Sequence, residues 1–484
     1  MGHEFVIGKY TLESLTNGMY ASSLDMYREY IQNAVDSFDA VITQKIERED
    51  NLRIDITIDK EARVASIKDN GCGISKEIAV STLLDIGNSQ KSRSDFRGFR
   101  GIGRLAGLGY CEKLTFITTA EKENVCTIIE FDAKLLKALL LPGNSESVSV
   151  NDVISKIVTI RSAPEMEKKR YFEVRLEGIS SEEGLMDIKS IKEYLTQHAP
   201  LAFDPNFKWH RTVLEKMRLA GYIIPQYRLF LNGTEIFKPY QDSFLSDRVK
   251  KNEDKIQDIK IKTFSRGEDL CAILWYVQSS FYGTVLDNTI KGIRIRQGNI
   301  LLGDKGSCNQ FFKEERFNGW IIGELHVVDN ELIANSRRDG FEKNAAYYEL
   351  IDEIKEWAIG VSKDIRHISY ERSLNAMKKA IVEADTVEDV NDLCIESLDL
   401  EDNYNESSIM GQSESDEIAE ADYIGKLSMF LDQIKSKTKY TALNINDKLT
   451  GEQRRVLERV FDLITQEYEQ DTAESFINTI SKRY

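Results

Sequence analysis

The chain has 484 residues, 41% hydrophobic and 30% charged, which is enough apolar material for several packed domains. A net charge of −16 disfavours a general electrostatic grip on nucleic acid, and the five scattered histidines do not form a metal-ligand cluster. Six cysteines without a Cys-x-x-Cys pair predict reduced thiols in a cytoplasmic protein, with no signal peptide and no apolar run long enough for a bilayer.

Residues 20–46 place Met26, Tyr30, Ala34, Val35, Phe38 and Ile42 at helical spacing. A strict alternation over Leu52–Ile58 predicts a half-buried strand, and Val64–Ile67 a second one running into the turn Asp69-Asn70-Gly71-Cys72-Gly73. A short helix over Lys76–Asp85 and a polar, glycine-rich stretch from Gly87 to Gly109 follow. Strands are expected at Leu114–Thr119, Thr127–Phe131 and Tyr171–Leu176, and a helix at Ile188–Thr196. Strands in runs indicate α+β rather than repeated βαβ units. A second unit is expected from near residue 205, with a hairpin about Asn232-Gly233 and strands at Ala272–Val277, Ile293–Arg296 and Ile321–Val328. Residues 346–384 read as helical. About ten acidic residues and no Lys or Arg between Glu396 and Asp422 read as a linker, and a capping box at Thr450–Gln453 opens a helical tail. Arg248-Val249-Lys250-Lys251 is a short basic run, most simply a solvated face.

Three segments carry chemistry. Glu29, Asn33 and Asp36 share one helix face, where an amide oxygen suits Mg²⁺ and a carboxylate one turn away suits a water proton; alone, the triplet is equally a solvated stripe. Asp69–Gly73 combines a carboxylate for an exocyclic amine with glycines that let backbone approach a flat ligand; alone, it is a common turn. Gly98-Phe99-Arg100-Gly101-Ile102-Gly103 can turn backbone N–H groups to phosphates, or be an ordinary loop. It does not follow the first strand of a βαβ unit, and no Walker Gly-Lys-Ser/Thr is present.

In this order, the segments resemble the N, G1 and G2 boxes of the GHKL (Bergerat-fold) ATPases, the superfamily of type II topoisomerase subunits, ninety-kilodalton heat-shock chaperones, histidine kinases and MutL. The resemblance is strongest to the heat-shock and MutL branches. It implies ATP and Mg²⁺ as cofactors, Glu29 as general base, and Asn33 as the metal-holding residue. It also implies Asp36 near the adenine side, Asp69 on the adenine amine, and Gly71, Gly73 and Ile74 around it. Lys91 and Ser92 would begin a mobile lid, while Gly98, Arg100, Gly101, Ile102 and Gly103 would close over phosphate. One departure stands out: the family's adenine-side Thr corresponds to Phe172. Either the correspondence is shifted, or Asp69 and a water manage without that hydroxyl.

Beyond residue 225 the resemblance extends to a transducer domain that returns a cation to the γ-phosphate. Ala334-Asn335-Ser336-Arg337-Arg338-Asp339 matches that loop, with Arg337 the expected catalytic arginine; Arg294 and Arg296, on one strand face, are second candidates. The implied organisation is a Bergerat-fold α/β sandwich ATPase domain over 1–205 and a ribosomal-S5-like α/β transducer over 206–360. A helical extension at 361–395, the acidic linker at 396–424 and a helical module at 425–484 complete it. Only about nineteen residues precede the first helix, too few for a phosphoacceptor-histidine helix, which argues against a histidine kinase. The implied activity is an ATPase that dimerises on ATP and remodels or regulates a protein partner. Alternatives are a DNA-linked ATPase of MutL or MORC type in repair or genome defence, and a nucleotide-gated scaffold without turnover.

Overall fold

The computed structural model describes residues 22–47, 51–85, 103–141, 149–180, 184–247, 251–335, 337–383 and part of 456–481. The chain divides into one unit ending at Ser369 and a second beginning at Tyr370.

In the first unit, the helix α1 (Asp25–Thr43) buries Met26, Tyr30, Ala34, Val35 and Phe38, the residues whose spacing predicts it. It lies on a mixed sheet built from β1 (Arg53–Asp59), β2 (Val64–Asp69), β3 (Lys113–Thr119), β4 (Val125–Asp132), β5 (Val158–Pro164), β6 (Tyr171–Glu177), β7 (Arg228–Leu231) and β8 (Thr234–Ile236). Its strand order is β5-β4-β3-β6-β2-β1-β7-β8, and every pairing is antiparallel except β1 with β7. Alternation along β1 sends Ile54, Ile56 and Ile58 into the core shared with α1.

The segment expected to open the second unit from near residue 205 includes two strands, β7 and β8, that pair into the first sheet. The hairpin about Asn232-Gly233 forms as read, but β7 adds parallel to β1, matching Ile54 to Leu229 and Ile56 to Leu231. Parallel neighbours need a long crossover, so nothing local in the sequence marks where β7 docks. The sequence reading also passes over β5, whose residues are mostly exposed and therefore carry no hydrophobic period.

A second sheet contains β11 (Asp258–Arg266), β12 (Asp269–Gln278), β13 (Gly292–Gln297), β14 (Ile300–Leu302) and β15 (Ile322–Val327), in the order β11-β12-β15-β13-β14. A small β9 (Ser243–Ser246) and β10 (Asn252–Lys255) hairpin precedes it. Both faces are covered. Ala272 and Leu274 of β12 pack towards the long helix Ala345–Glu383, while Ile273, Trp275 and Val277 pack with Val213 and Met217 of the helix His210–Leu219. That burial on both sides explains why β12 reads as an unbroken apolar run. β11, where Ile259-Lys260-Ile261-Lys262 alternates, is a strand beyond those the sequence reading names.

In the second unit, Phe461 and Ile477 form a small apolar cluster with Leu457, Ile464 and Ile480, the last part belonging to the helix Gln470–Ser481. The acidic stretch 396–424 and the capping box at Thr450 lie outside the described residues. Among the described residues, no helix is long and apolar enough to cross a membrane.

Candidate functional site

The site forms where the solvent-side stripe of α1 meets the end of β2. Glu29 and Asn33 are half-buried on that stripe, and Asp36 shares the face but is buried. The Glu29 carboxylate is bracketed by guanidinium groups. Arg28 Nη2 lies 3.4 Å from Oε1, and Arg28 is held on its other side by Asp25 at 3.4 Å. The Asp25 carboxylate also accepts a hydrogen bond from the Tyr194 hydroxyl at 2.7 Å.

Gly103 begins a 3₁₀ turn over Gly103–Gly109 that closes against the same carboxylate; a Cβ there would stand 2.2 Å from Glu29 Oε2, so any larger residue displaces the acid. Tyr30 fastens this turn to α1, accepting from Gly107 N at 2.9 Å and donating to Arg104 O at 3.2 Å. Lys91, Ser92, Gly98, Arg100, Gly101 and Ile102 lie outside the described residues.

Asp69 ends β2 and is 4% exposed. Its Oδ1 accepts from Gly71 N at 2.9 Å, and burial pushes its carboxyl up to about 7, opposed by that hydrogen bond and by Arg170. Gly73 takes a left-handed φ of 65°, and a Cβ there would meet Thr119 O at 1.9 Å, so the turn needs glycine for both reasons. Ile74 N donates to Thr118 Oγ1 at 2.8 Å.

Three residues that sequence reasoning missed hold this turn. Ser37, two turns along α1 from Glu29, accepts from Cys72 N at 2.8 Å. Thr118 receives Ile74 and donates to Tyr171 O at 3.0 Å. Arg170 donates from one nitrogen to the carbonyls of Asn70 and Gly71, both at 3.0 Å, and from the other to Glu47 at 3.2 Å. Only Ser37 carries a sequence signal, its place on the Glu29 helix. Phe172 sits opposite Asp69 on one side and opposite Thr118 on the other, so it occupies the row of the sheet facing this turn. The hydroxyl in that row is Thr118, one strand over.

The loop after β15 brings a further guanidinium to the same carboxylate. Arg337 is exposed, whereas the Nε of Arg338 reaches 3.6 Å from Glu29 Oε1. Arg338 takes a φ of 57°, and that left-handed step turns it, not its neighbour, towards α1. Adjacent arginines in a loop cannot be told apart by pattern; the backbone turn decides. Arg294 and Arg296 are buried in the second sheet, Arg294 bonded to the carbonyls of Asn288 and Thr289 and Arg296 to Glu324.

Residues 23–152 match the family profile described as histidine kinase-, DNA gyrase B- and HSP90-like ATPase. The chain carries a GHKL ATPase domain. Around that domain the chain is similar to the chaperone protein HtpG of Acinetobacter baylyi, at 30% identity over 122 residues, covering 22% of this chain and 19% of that protein. The HtpG of Paraburkholderia xenovorans is 29% identical over 128 residues, covering 23% and 20%. The chain thus matches about a fifth of the length of these relatives. This weak homology supports the heat-shock-chaperone branch of the GHKL superfamily, and the antiparallel-rich first sheet with α1 across it accords with the GHKL ATPase domain.

The residues present fit the cofactors of a GHKL site. Asn33 offers a hard oxygen one turn from a carboxylate, as Mg²⁺ with phosphate requires. Among the described residues, no group of three or more His, Cys, Asp or Glu could hold a metal alone. Asp69 offers a buried acceptor next to a turn that only glycine can make.

Proposed function

We propose that the chain is an ATP-binding and ATP-hydrolysing conformational switch of the heat-shock-chaperone type, dimerising on nucleotide to remodel or regulate a protein partner. The observation that carries this reading is the approach of Arg338, from the loop after β15, to within 3.6 Å of Glu29 on α1. A carboxylate for water and a guanidinium for phosphate charge thus come from different layers of one unit.

Asp69 accepts a hydrogen bond from the exocyclic amine of the base. Glu29 orients the attacking water and takes its proton. Arg338 leaves Glu29 to fork onto the phosphate oxygens, where charge grows during transfer. Asn33 would hold Mg²⁺ through its side-chain oxygen, and the bound cation would supply neutralisation of phosphate charge. Gly103, at the end of the glycine-rich stretch, stands against Glu29. The second sheet acts as the transducer.

Steady-state turnover of single variants tests this. Glu29→Ala and Arg338→Ala are each expected to lower kcat roughly 10²-fold or more, while Arg337→Ala stays within about threefold of wild type. Asn33→Ala is expected to lose binding of Mg-ATP itself. Wild-type turnover in Glu29→Ala rules out the assigned base.

A further inference from the structure

We propose that the hairpin β13–β14, through Arg296 and Asn299, is a strut that sets Arg338 against Glu29, making both of them positioning residues for hydrolysis. The inference rests on the catalytic reading of Arg338 given above.

On the face that carries Ile273, Trp275 and Val277, the second sheet also buries charge, at Arg294, Arg296 and Glu324. Glu324 of β15 is fully buried and receives five donors. Its Oε1 accepts from Arg296 Nε at 2.5 Å and from the Tyr240 hydroxyl at 3.0 Å. Its Oε2 accepts from Lys238 Nζ at 2.5 Å and Trp275 Nε1 at 3.3 Å, and His326 Nε2 lies 3.1 Å away. Burial holds His326 at about 4, so it is neutral at pH 7. Replacing such a cluster by apolar groups of similar volume is often stabilising, so stability alone does not account for it. What the cluster does define is geometry, because each partner has one arrangement that satisfies it.

The strut reaches both sides of the Glu29–Arg338 contact. On one side, Arg296 Nη2 donates to Gln197 O at 2.8 Å and Arg294 Nη2 to Gln197 Oε1 at 3.3 Å. Gln197 lies in the last turn of the helix Ile188–His198, whose Tyr194 holds Asp25 on α1 and, through Asp25 and Arg28, leads to Glu29. Asn299, at the hairpin tip and fully buried, donates to Pro225 O at 2.6 Å and receives Lys238 Nζ at 2.8 Å. On the other side, Gly303 N just past β14 donates to Arg338 O at 2.9 Å, and Gln297 Nε2 to Leu332 O at 2.9 Å. One hairpin therefore anchors the backbone of Arg338 and the helix that braces Glu29.

Asn299→Gly in the full chain tests the strut. Asn299 has a φ of 64°, which glycine adopts freely, so the variant removes side-chain bonds without adding backbone strain. Turnover, KM for ATP and melting temperature are measured for Asn299→Gly, Arg338→Ala and the double variant. The expected result is a loss in kcat of about tenfold with KM within about twofold, and no further loss when Asn299→Gly is added to Arg338→Ala. An equal fractional loss in both backgrounds, or wild-type kcat in folded Asn299→Gly, overturns the strut alone. Wild-type turnover in Arg338→Ala overturns the catalytic reading and the strut with it. Should Asn299→Gly fail to fold, Gln297→Ala, which removes the hairpin's side-chain bond to Leu332 O, is read in the same cycle and by the same criteria.

Discussion

Two guanidinium groups approach one oxygen of Glu29, Arg28 from the preceding helical position and Arg338 from the loop after β15. Arg28 is also paired with Asp25, on its own helix, whereas Arg338 comes from a different element. The sequence points to the loop and to Arg337 within it; in the structure it is Arg338, at a φ of 57°, that lies beside Glu29. Asp69 yields a prediction in pH. Its folded carboxyl is raised to about 7 by burial, whereas the unfolded carboxyl ionises near the ordinary aspartate value. Between those values the folded state binds more protons, so the free protein loses stability as pH rises, and the loss is complete above about 7. Base binding runs the other way, because the carboxylate is a stronger acceptor for an amine than the protonated carboxyl. Adenosine, which carries no titrating phosphate, is expected to bind more tightly from pH 6 to pH 8 by roughly tenfold, the response of one proton with a pKa near 7. Calorimetric titration across that range checks it, and a flat profile removes Asp69 from base recognition.

The turn after β2 shows how an element is positioned from outside itself. Its own sequence supplies glycines and the carboxylate, and these were legible. Its placement depends on Ser37 of α1, Thr118 of β3 and Arg170 before β6, which are far apart in the chain and carry no local pattern. Arg170 bonds two carbonyls of the turn and is itself braced by Glu47. Arg170→Ala is expected to weaken nucleotide binding by about five- to tenfold, as for loss of a charge-assisted hydrogen bond, while kcat at saturating ATP stays within about twofold. A fall in kcat with unchanged KM would show that Arg170 serves the reacting end instead. Phe172 belongs to the same scale: the β2–β6 register sets it opposite Asp69, and a one-residue slip would have turned it to the other face.

At the scale of the whole molecule, the first sheet runs to β8 and the second begins at β11, yet the loop after β15 reaches Glu29 on the helix that covers the first sheet. Closure on nucleotide is the expected response, with two copies of the chain pairing. Solution mass by light scattering, with and without a non-hydrolysable ATP analogue, is expected to double at micromolar concentration. A monomeric mass in both conditions rules out nucleotide-driven dimerisation. Turnover raised by a protein partner but not by DNA would separate the chaperone-type output from the DNA-linked alternative.

By itself, the sequence determined that α1, β1, β2 and the glycine turn exist and that their polar residues match a GHKL nucleotide pocket. Helical and strand periods, together with glycine at strained positions, are local properties, and the order of the three boxes is read along the chain. The tertiary structure alone decided that β7 and β8 join the first sheet, that Arg338 rather than Arg337 faces Glu29, and that Arg296 is buried on Glu324. Those outcomes depend on crossover pairing, on one left-handed backbone angle and on desolvation of a charge by distant partners. None of these leaves a periodic trace in neighbouring residues.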